Sequence, residues 1–109
     1  MIFQTIDGVK LADVDQSILI DFLVEHVFFR FMDNGRYGIQ TSGNDVVSTL
    51  ITHFEQKGLV TKEFTTKQFD KFHEKFVKDC VTSFINKGST GIYHSVIDIT
   101  AAIVDEINK

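Results

Sequence analysis

The sequence predicts one α+β domain over residues 1–109, predominantly helical, in which an N-terminal β-hairpin packs on a bundle of about four helices. Two observations predict this class: an Asp-Gly pair between two short β-prone runs, and apolar residues that recur at helical spacing through the remainder of the chain. A length of 109 residues suits a single domain. With 43% hydrophobic and 24% charged residues, the composition excludes the disordered class, which combines low hydrophobicity with high charge.

The predicted hairpin lies at the N-terminus. The runs 2–6 and 9–11 flank Asp7-Gly8, and an Asp-Gly pair favours a two-residue turn in which both central residues take a positive φ. An isolated hairpin is only marginally stable, so it must pack on helices or gain a third strand. Residues 37–41 are the candidate for that strand, and residues 59–64 are a further segment that could be extended.

Four helices are predicted from capping residues and from apolar periodicity. Helix 1 is expected over residues 15–34, helix 2 over 44–57, helix 3 over 65–88, and helix 4 from residues 89–91 to near the C-terminus. Helix 1 is apolar on nearly every side, so it is expected either to lie centrally or to turn one side toward a partner chain.

Phenylalanine is unusually frequent, and this predicts where the core lies. Most of the 11 Phe fall on helices 1 and 3. We therefore expect a Phe-rich contact between those two helices, with the Ile-rich face of helix 4 as the third wall. The pair Thr65 and Gln68 fits a capping box at the start of helix 3. Inspection of the sequence reveals no internal repeat.

The charge of −4 is unevenly distributed. Residues 1–55 contain eight acids against three Lys or Arg, whereas the remainder contains eight Lys and seven acids. Because phosphate contacts dominate nucleic-acid affinity, this balance argues against a strongly basic nucleic-acid domain. It favours a protein partner with a basic surface.

The single cysteine, Cys80, cannot form an internal disulfide, and the first residues lack the pattern of a signal peptide. The longest apolar region, 18–32, is interrupted by charged residues and does not predict a membrane span. We therefore expect a cytoplasmic protein that does not act at a membrane. No motif for a cofactor, a metal or a catalytic nucleophile is present, so we expect none of these.

The first candidate surface lies on helix 1. Asp21, Glu25, Phe28 and Met32 fall on nearly the same arc, which combines two acids with two apolar side chains. Apolar anchors beside charge are typical of a protein-binding face. The alternative is a thin solvated stripe on a helix of the core.

The second candidate surface lies on the outer side of helix 4. His94, Asp98 and Asp105 share a face with the small residue Ala101, which would let a partner backbone approach closely. An ordinary solvated face explains the same residues. His94 and Asp98 could also ligate a metal or serve a small enzyme, but a metal site needs further ligands and an enzyme needs a pocket around them.

The lysines of helix 3 form the main basic feature. Lys67, Lys71, Lys75 and Lys78 share one face opposite the Phe residues of that helix. A solvated face with ion pairs explains them, while phosphate contact is the alternative. Together with the order of helix 2, Gly58 and the residues after it, they allow the alternative of a winged-helix-like DNA-binding regulator.

The function that these observations favour is a small, acidic, non-enzymatic module that binds a partner protein and neutralises or regulates it. Immunity proteins, antitoxins and phage-encoded inhibitors are proteins of this type. The DNA-binding regulator and the small enzyme using His94 and Asp98 are the two alternatives. A homodimer formed through helix 1 or helix 4 is compatible with each of them.

Overall fold

Helices occupy most of residues 13–109, the part of the chain that the computed structural model describes. They are α1 (Gln16–Asn34), α2 (Arg36–Gln56), α3 (Thr66–Lys87) and α4 (Ser89–Ile107). Residues 13–109 contain no β-strand, and they form a four-helix bundle. The α+β class predicted from the sequence is therefore wrong. The hairpin that was expected over residues 2–11 lies outside the described residues.

The second helix begins at Arg36 rather than near residue 44, so the segment 37–41 is helical and not a strand. Gly35, with φ of 59°, turns the chain directly from α1 into α2. Gly38 lies inside the new helix because α1 passes close to it: a Cβ at this position would collide with the carbonyl oxygen of Arg30. Because glycine lowers helix propensity, the local sequence does not predict a helix here, and the helix depends on tertiary packing.

The connection between α2 and α3 spans residues 57–65 and includes no strand. Gly58 has φ of 77°, and the backbone N–H of Leu59 donates to the carbonyl oxygen of Phe54 at 3.0 Å. This is the hydrogen bond of a glycine-terminated helix end, in which a residue beyond the glycine folds back on the last turn. Residues 59–64 are irregular, so the strand that the sequence left open for this segment is not formed.

The helix caps agree with the sequence. The Asp15 side chain accepts a hydrogen bond from the backbone N–H of Ser17 at 2.9 Å and so begins α1. Thr65 and Gln68 form both hydrogen bonds of the predicted capping box at α3, at 2.8 and 3.1 Å. Gly88, with φ of 63°, ends α3 as predicted and leads directly into α4.

The bundle consists of two helical hairpins packed side by side. In addition to the α1–α2 and α3–α4 pairs, α2 packs on α3, α1 packs on α4, and α2 approaches α4 across the centre, while α1 and α3 lie diagonally opposite. The expected Phe-rich contact between helices 1 and 3 is formed only in part: the rings of Phe31 and Phe84 touch, but the backbones of the two helices stay apart. The largest fully buried side chains are Phe76, Leu19, Leu23, Ile39, Leu50, Ile92, Ile99 and Ile103.

The two hairpins repeat the same local sequence, which inspection of the sequence alone missed. The pattern Phe-x-x-x-Gly-x-x-Gly-Ile-x-x-Ser occurs at residues 31–42 and again at residues 84–95, an offset of 53 positions. In both copies the Phe lies near the end of the first helix, and the first Gly joins it directly to the second helix. The pattern is therefore placed identically in the two hairpins.

The geometry of the two copies is the same in detail. Gly35 has φ of 59° and ψ of −137°, and Gly88 has φ of 63° and ψ of −139°. The buried Ser42 hydroxyl donates to the Gly38 carbonyl oxygen at 2.6 Å, as does the buried Ser95 hydroxyl to that of Gly91 at 2.9 Å. These shared bonds establish an internal structural repeat.

Core positions also correspond when the second hairpin is aligned on the first. Equivalent residues are buried in both halves, as in the pairs Leu19 and Phe72, Leu23 and Phe76, Val27 and Cys80, Ile39 and Ile92, Val46 and Ile99, and Leu50 and Ile103. Exchanging the hairpins also maps the α1–α4 contact onto the α2–α3 contact. The bundle therefore has an approximate twofold relation between its halves.

Candidate partner-binding surfaces

The side of α1 that points away from the bundle carries apolar side chains exposed to solvent. Ile18 is 60% exposed, Phe29 55% and Met32 64%. They belong to one stripe along the helix, which we call the α1 outer face. It consists of the exposed residues Ile18, Asp21, Glu25, Phe29 and Met32 together with the partly buried Phe22. Large apolar side chains grouped on a surface in this way mark an interaction site in many proteins.

The structure separates the residues that the sequence analysis grouped on helix 1. Asp21, Glu25 and Met32 are exposed and lie together, as predicted. Phe28 is partly buried and packs against the core, with its ring edge-on to Phe29 at a centroid distance of 5.9 Å. Ile18 and Phe29 were missed as surface residues, because on a helix that is apolar all round the spacing alone does not identify the side facing solvent.

The internal repeat provides a comparison for the α1 outer face within the same molecule. The equivalent positions on α3 are occupied by Lys71, Glu74, Lys75, Lys78, Thr82 and Ile85. On α3, lysine occupies the position equivalent to Ile18, and threonine occupies the position equivalent to Phe29. The fold does not require apolar residues at these positions, so packing of the bundle does not explain them.

Negative charge accompanies the apolar side chains of the α1 outer face. Among residues 13–109, the ion pairs are Lys75–Asp79 and Lys109–Glu106, and Asp45 is hydrogen-bonded to His26. Asp21 and Glu25 take part in none of these and are both exposed. Like charges one helical turn apart repel by a few tenths of a kcal/mol, which a cationic partner would relieve.

The stripe of residues predicted on helix 4 is exposed to solvent in the bundle. His94, Asp98, Ala101 and Asp105 are all exposed on α4. Beside them lies a groove of about 270 Å³ between α1 and α4, lined by Gln16, Ile20, Ile97, Thr100, Ala101, Val104 and Asp105. His94 and Asp98 do not line this groove, so the pocket that the enzyme alternative needs is not found there.

The lysines predicted to share a face on helix 3 line a larger groove against the start of α2. The groove has a volume of about 800 Å³ and carries four cations, Arg36, Lys71, Lys75 and Lys78, together with the acids Glu74 and Asp79. We call it the basic groove. Lys75 is paired with Asp79 at 2.7 Å, and the exposed Lys67 lies outside the lining.

One histidine shapes the basic groove. His73 donates from Nε2 to the carbonyl oxygen of Gln40 at 2.7 Å and so ties α3 to the first turns of α2. Gly43 allows the close approach, because a Cβ there would lie 3.2 Å from the His73 ring and 3.1 Å from that of Phe76. The groove is thus held between two helices rather than formed by mobile side chains alone.

A second histidine joins α1 to α2 through a partly buried hydrogen bond to Asp45. His26 Nε2 lies 3.0 Å from the Asp45 carboxylate, and both side chains are 15% exposed. Burial lowers the pKa of His26 below its usual value, with a smaller contribution from Arg30, although the hydrogen bond and the charge of Asp45 act in the opposite direction. The imidazole is therefore held in its neutral form near neutral pH.

Cys80 is fully buried in the core between the helices. Burial, with a contribution from the nearby Asp79, raises the pKa of its thiol to about 12. Because the thiolate is the reactive form of cysteine, this side chain cannot act as a nucleophile in the folded protein. It fills the same core position as Val27 of the first hairpin.

From residue 13 onward, no three His, Cys, Asp or Glu side chains converge to hold a metal ion. None of the four helices combines the length and hydropathy of a segment that spans a bilayer. Comparison with protein-family models, with curated proteins and with solved structures found no match for this chain.

Proposed function

We propose that the protein is a small acidic binding module that neutralises or regulates a partner protein, which it holds on the α1 outer face. One observation carries this proposal: the apolar residues Ile18 and Phe29 are exposed at positions where the repeat carries Lys71 and Thr82. Exposed apolar side chains grouped on one face mark interaction sites in many proteins, and covering them with a partner stabilises the complex. Immunity proteins, antitoxins and phage-encoded inhibitors are the functional types that such a module fits.

The energetics favour a protein as the partner. Fully burying one large apolar side chain contributes about 1.5–3 kcal/mol, so covering Ile18, Phe29 and Met32 contributes several kcal/mol to binding. Apolar anchors at the centre of a contact with charges beside them are the usual arrangement of a protein interface.

The charges of the face indicate the chemistry of the partner. Asp21 and Glu25 lie within the apolar stripe, so the partner surface carries lysine or arginine opposite them. Opposite charges steer the two proteins together and select the correct partner more than they add affinity. The proposed module binds and does not catalyse. We propose that it acts in the cytoplasm, since its one buried thiol gives no sign of an oxidising compartment.

The repeat itself supplies the variant that tests this proposal. Ile18→Lys combined with Phe29→Thr replaces both exposed residues by those of the equivalent α3 positions, so the bundle should fold unchanged. Partners captured by the wild-type protein from its source cells would be identified by mass spectrometry and then tested against purified variants. We expect the double variant to retain its circular dichroism spectrum and unfolding temperature and to lose the partner.

A matched control is available on the other predicted surface. His94→Ala, Asp98→Ala and Asp105→Ala together alter the exposed stripe of α4 and leave the α1 outer face intact. This variant should keep the partner. Loss of the partner from the α4 variant together with its retention by Ile18→Lys/Phe29→Thr would show that the binding face lies on α4 instead.

A further inference from the structure

We infer that a second copy of this chain docks its basic groove onto the α1 outer face. The inference rests on the proposed function, because it takes that face to be a protein-binding surface. The two surfaces have complementary net charge: the face carries Asp21 and Glu25, whereas the four cations of the groove exceed its two acids, Glu74 and Asp79. A partner surface with apolar and basic character is therefore present on the molecule itself.

The proposed contact pairs equivalent positions of the internal repeat. Glu25 lies at the middle of the α1 outer face, and the residue at the equivalent position of α3 is Lys78. When α1 of one copy lies antiparallel on α3 of the next, with Glu25 opposite Lys78, an approximate local twofold relates the two helices. Opposite charges then meet at the centre of the contact, where exclusion of water strengthens their attraction.

The same alignment places apolar groups against apolar groups. Ile18 lies seven residues before Glu25, and Ile85 lies seven residues after Lys78, so the antiparallel arrangement brings the two isoleucines together. Ile85 is 78% exposed, the highest value among the large apolar side chains of the described residues. One contact thus covers exposed apolar side chains on both copies.

The remaining apolar residues of the face meet the hydrocarbon parts of lysines. In this alignment Met32 lies opposite Lys71, and Phe29 lies near Lys75. Lysine covers apolar surface with its four-carbon stem, and its ammonium group is attracted to the face of an aromatic ring. The lysine side of the groove is therefore suited to an apolar face as well as to an acidic one.

The consequence is a mechanism that regulates the binding face. Each docked copy still exposes its own α1 outer face, so the contact is heterologous and extends from copy to copy. Every α1 outer face that is occupied by a neighbouring copy is closed to the partner protein. The partner must then compete with self-association, and the fraction of available faces depends on the protein concentration.

A charge exchange tests the inference with the purified protein alone. Sedimentation velocity over a concentration series would measure self-association of the wild type, of Glu25→Lys, of Lys78→Glu and of the protein carrying both changes. We expect each single change to weaken self-association roughly tenfold or more, because like charges then face each other at the centre. The combined change restores opposite charges between copies and should return the affinity to within roughly threefold of the wild type.

Two matched controls show whether position or net charge matters. Glu55→Lys and Lys67→Glu make the same charge changes at exposed residues outside the two surfaces, and they should leave self-association unchanged. The inference is overturned if the wild type stays monomeric throughout the series, if the combined variant does not recover, or if the controls weaken association equally.

A DNA-binding measurement tests whether nucleic acid, rather than a second copy of the chain, occupies the basic groove. If the wild type stays monomeric and shifts a duplex DNA probe, and if Lys78→Glu abolishes that shift, the basic groove is a nucleic-acid site and the inference is wrong. The proposed function fails separately, when Ile18→Lys/Phe29→Thr keeps the partner protein. If the wild type is monomeric and Ile18→Lys/Phe29→Thr still loses the partner protein, only the self-association is overturned.

Discussion

The rings of Phe31 and Phe84 contact each other with their centroids 4.2 Å apart and their planes inclined by 49°. The two residues occupy the same position of the repeat, near the ends of α1 and α3. Residues related by a twofold axis meet only close to that axis, so the approximate axis of the bundle passes between these rings. They are the point at which the two diagonally opposed helices reach one another.

We predict that the Phe31–Phe84 contact couples the two hairpins energetically. Each change to Ala should lower the free energy of unfolding by about 2 kcal/mol, less than for a fully buried ring, because both side chains are partly exposed. The double variant should show a coupling energy of about 1 kcal/mol, as for other aromatic pairs. Urea unfolding of the four proteins measures this cycle. Additive effects would show that the rings stabilise their own hairpins independently.

The two glycines at which neighbouring helices approach most closely lead to a second prediction. A Cβ at Gly38 would collide with the carbonyl oxygen of Arg30, and one at Gly91 with that of Ser83. Because backbone cannot move aside as a flexible side chain can, Gly38→Ala and Gly91→Ala should each cost about 3 kcal/mol or more. The measurement is the shift of the urea midpoint for each variant.

Gly58 is the control for these glycines. It has φ of 77°, but a Cβ there would meet nothing within 4 Å, so Gly58→Ala carries only the backbone strain of about 1–2 kcal/mol. Gly38 and Gly91 lie inside helices and carry no such strain, so a cost at these positions no larger than that of Gly58→Ala would contradict the predicted collision with the neighbouring helix.

The caps and most boundaries of the helices could be predicted from sequence because they depend on local chemistry. Asp15 binds its own first turn, and Thr65 and Gln68 bind each other across one turn. The start of α2 could not be predicted in this way. Gly38 and the β-prone residues around it have low helix propensity, and the close contact of Gly38 with α1 is a tertiary effect. The spacing of residues along the chain gives no information about that contact.

The candidate site was only partly predictable for a related reason. Asp21, Glu25 and Met32 were placed on one face by helical spacing alone, and the structure confirms that they are exposed together. The exposure of Ile18 and Phe29 depends on which neighbours α1 has, and spacing does not give this. The repeat was hidden because its surface positions differ, while its identical residues are a short set of Phe, Gly, Ile and Ser.

The buried hydroxyl of Thr49 leads to a stabilising prediction. Thr49 is fully buried, and its hydroxyl has no hydrogen-bond partner among the described residues. The equivalent residue of the second hairpin is Ala102, so the fold does not require a hydroxyl at this position. Thr49→Val keeps the shape and removes the unsatisfied group, and it should raise the free energy of unfolding by about 1 kcal/mol. Thr49→Ala, measured beside it in urea, should lose stability through the cavity it leaves.

The His26–Asp45 pair makes the stability of the bundle depend on pH. Burial lowers the pKa of His26 in the folded protein, so the unfolded chain, with its ordinary histidine value near 6.5, binds the proton more tightly. The stabilisation by the neutral imidazole is therefore fully present above the ordinary histidine pKa of the unfolded chain. It is lost as the pH falls through the lowered pKa of His26 in the folded state. Acidification below neutral pH should weaken the wild-type bundle.

His26→Gln removes this titration and keeps a side chain that can reach Asp45. We expect its urea midpoint to change less than that of the wild type between about pH 7.5 and about pH 5.5, the interval that contains the ordinary histidine pKa. His94→Gln is the matched control, because His94 is exposed on α4, and it should follow the wild-type curve. An unchanged pH dependence in His26→Gln would assign the effect to other groups and contradict this account of the pair. The imidazole resonances, followed by NMR, should also show His26 titrating below the ordinary histidine value.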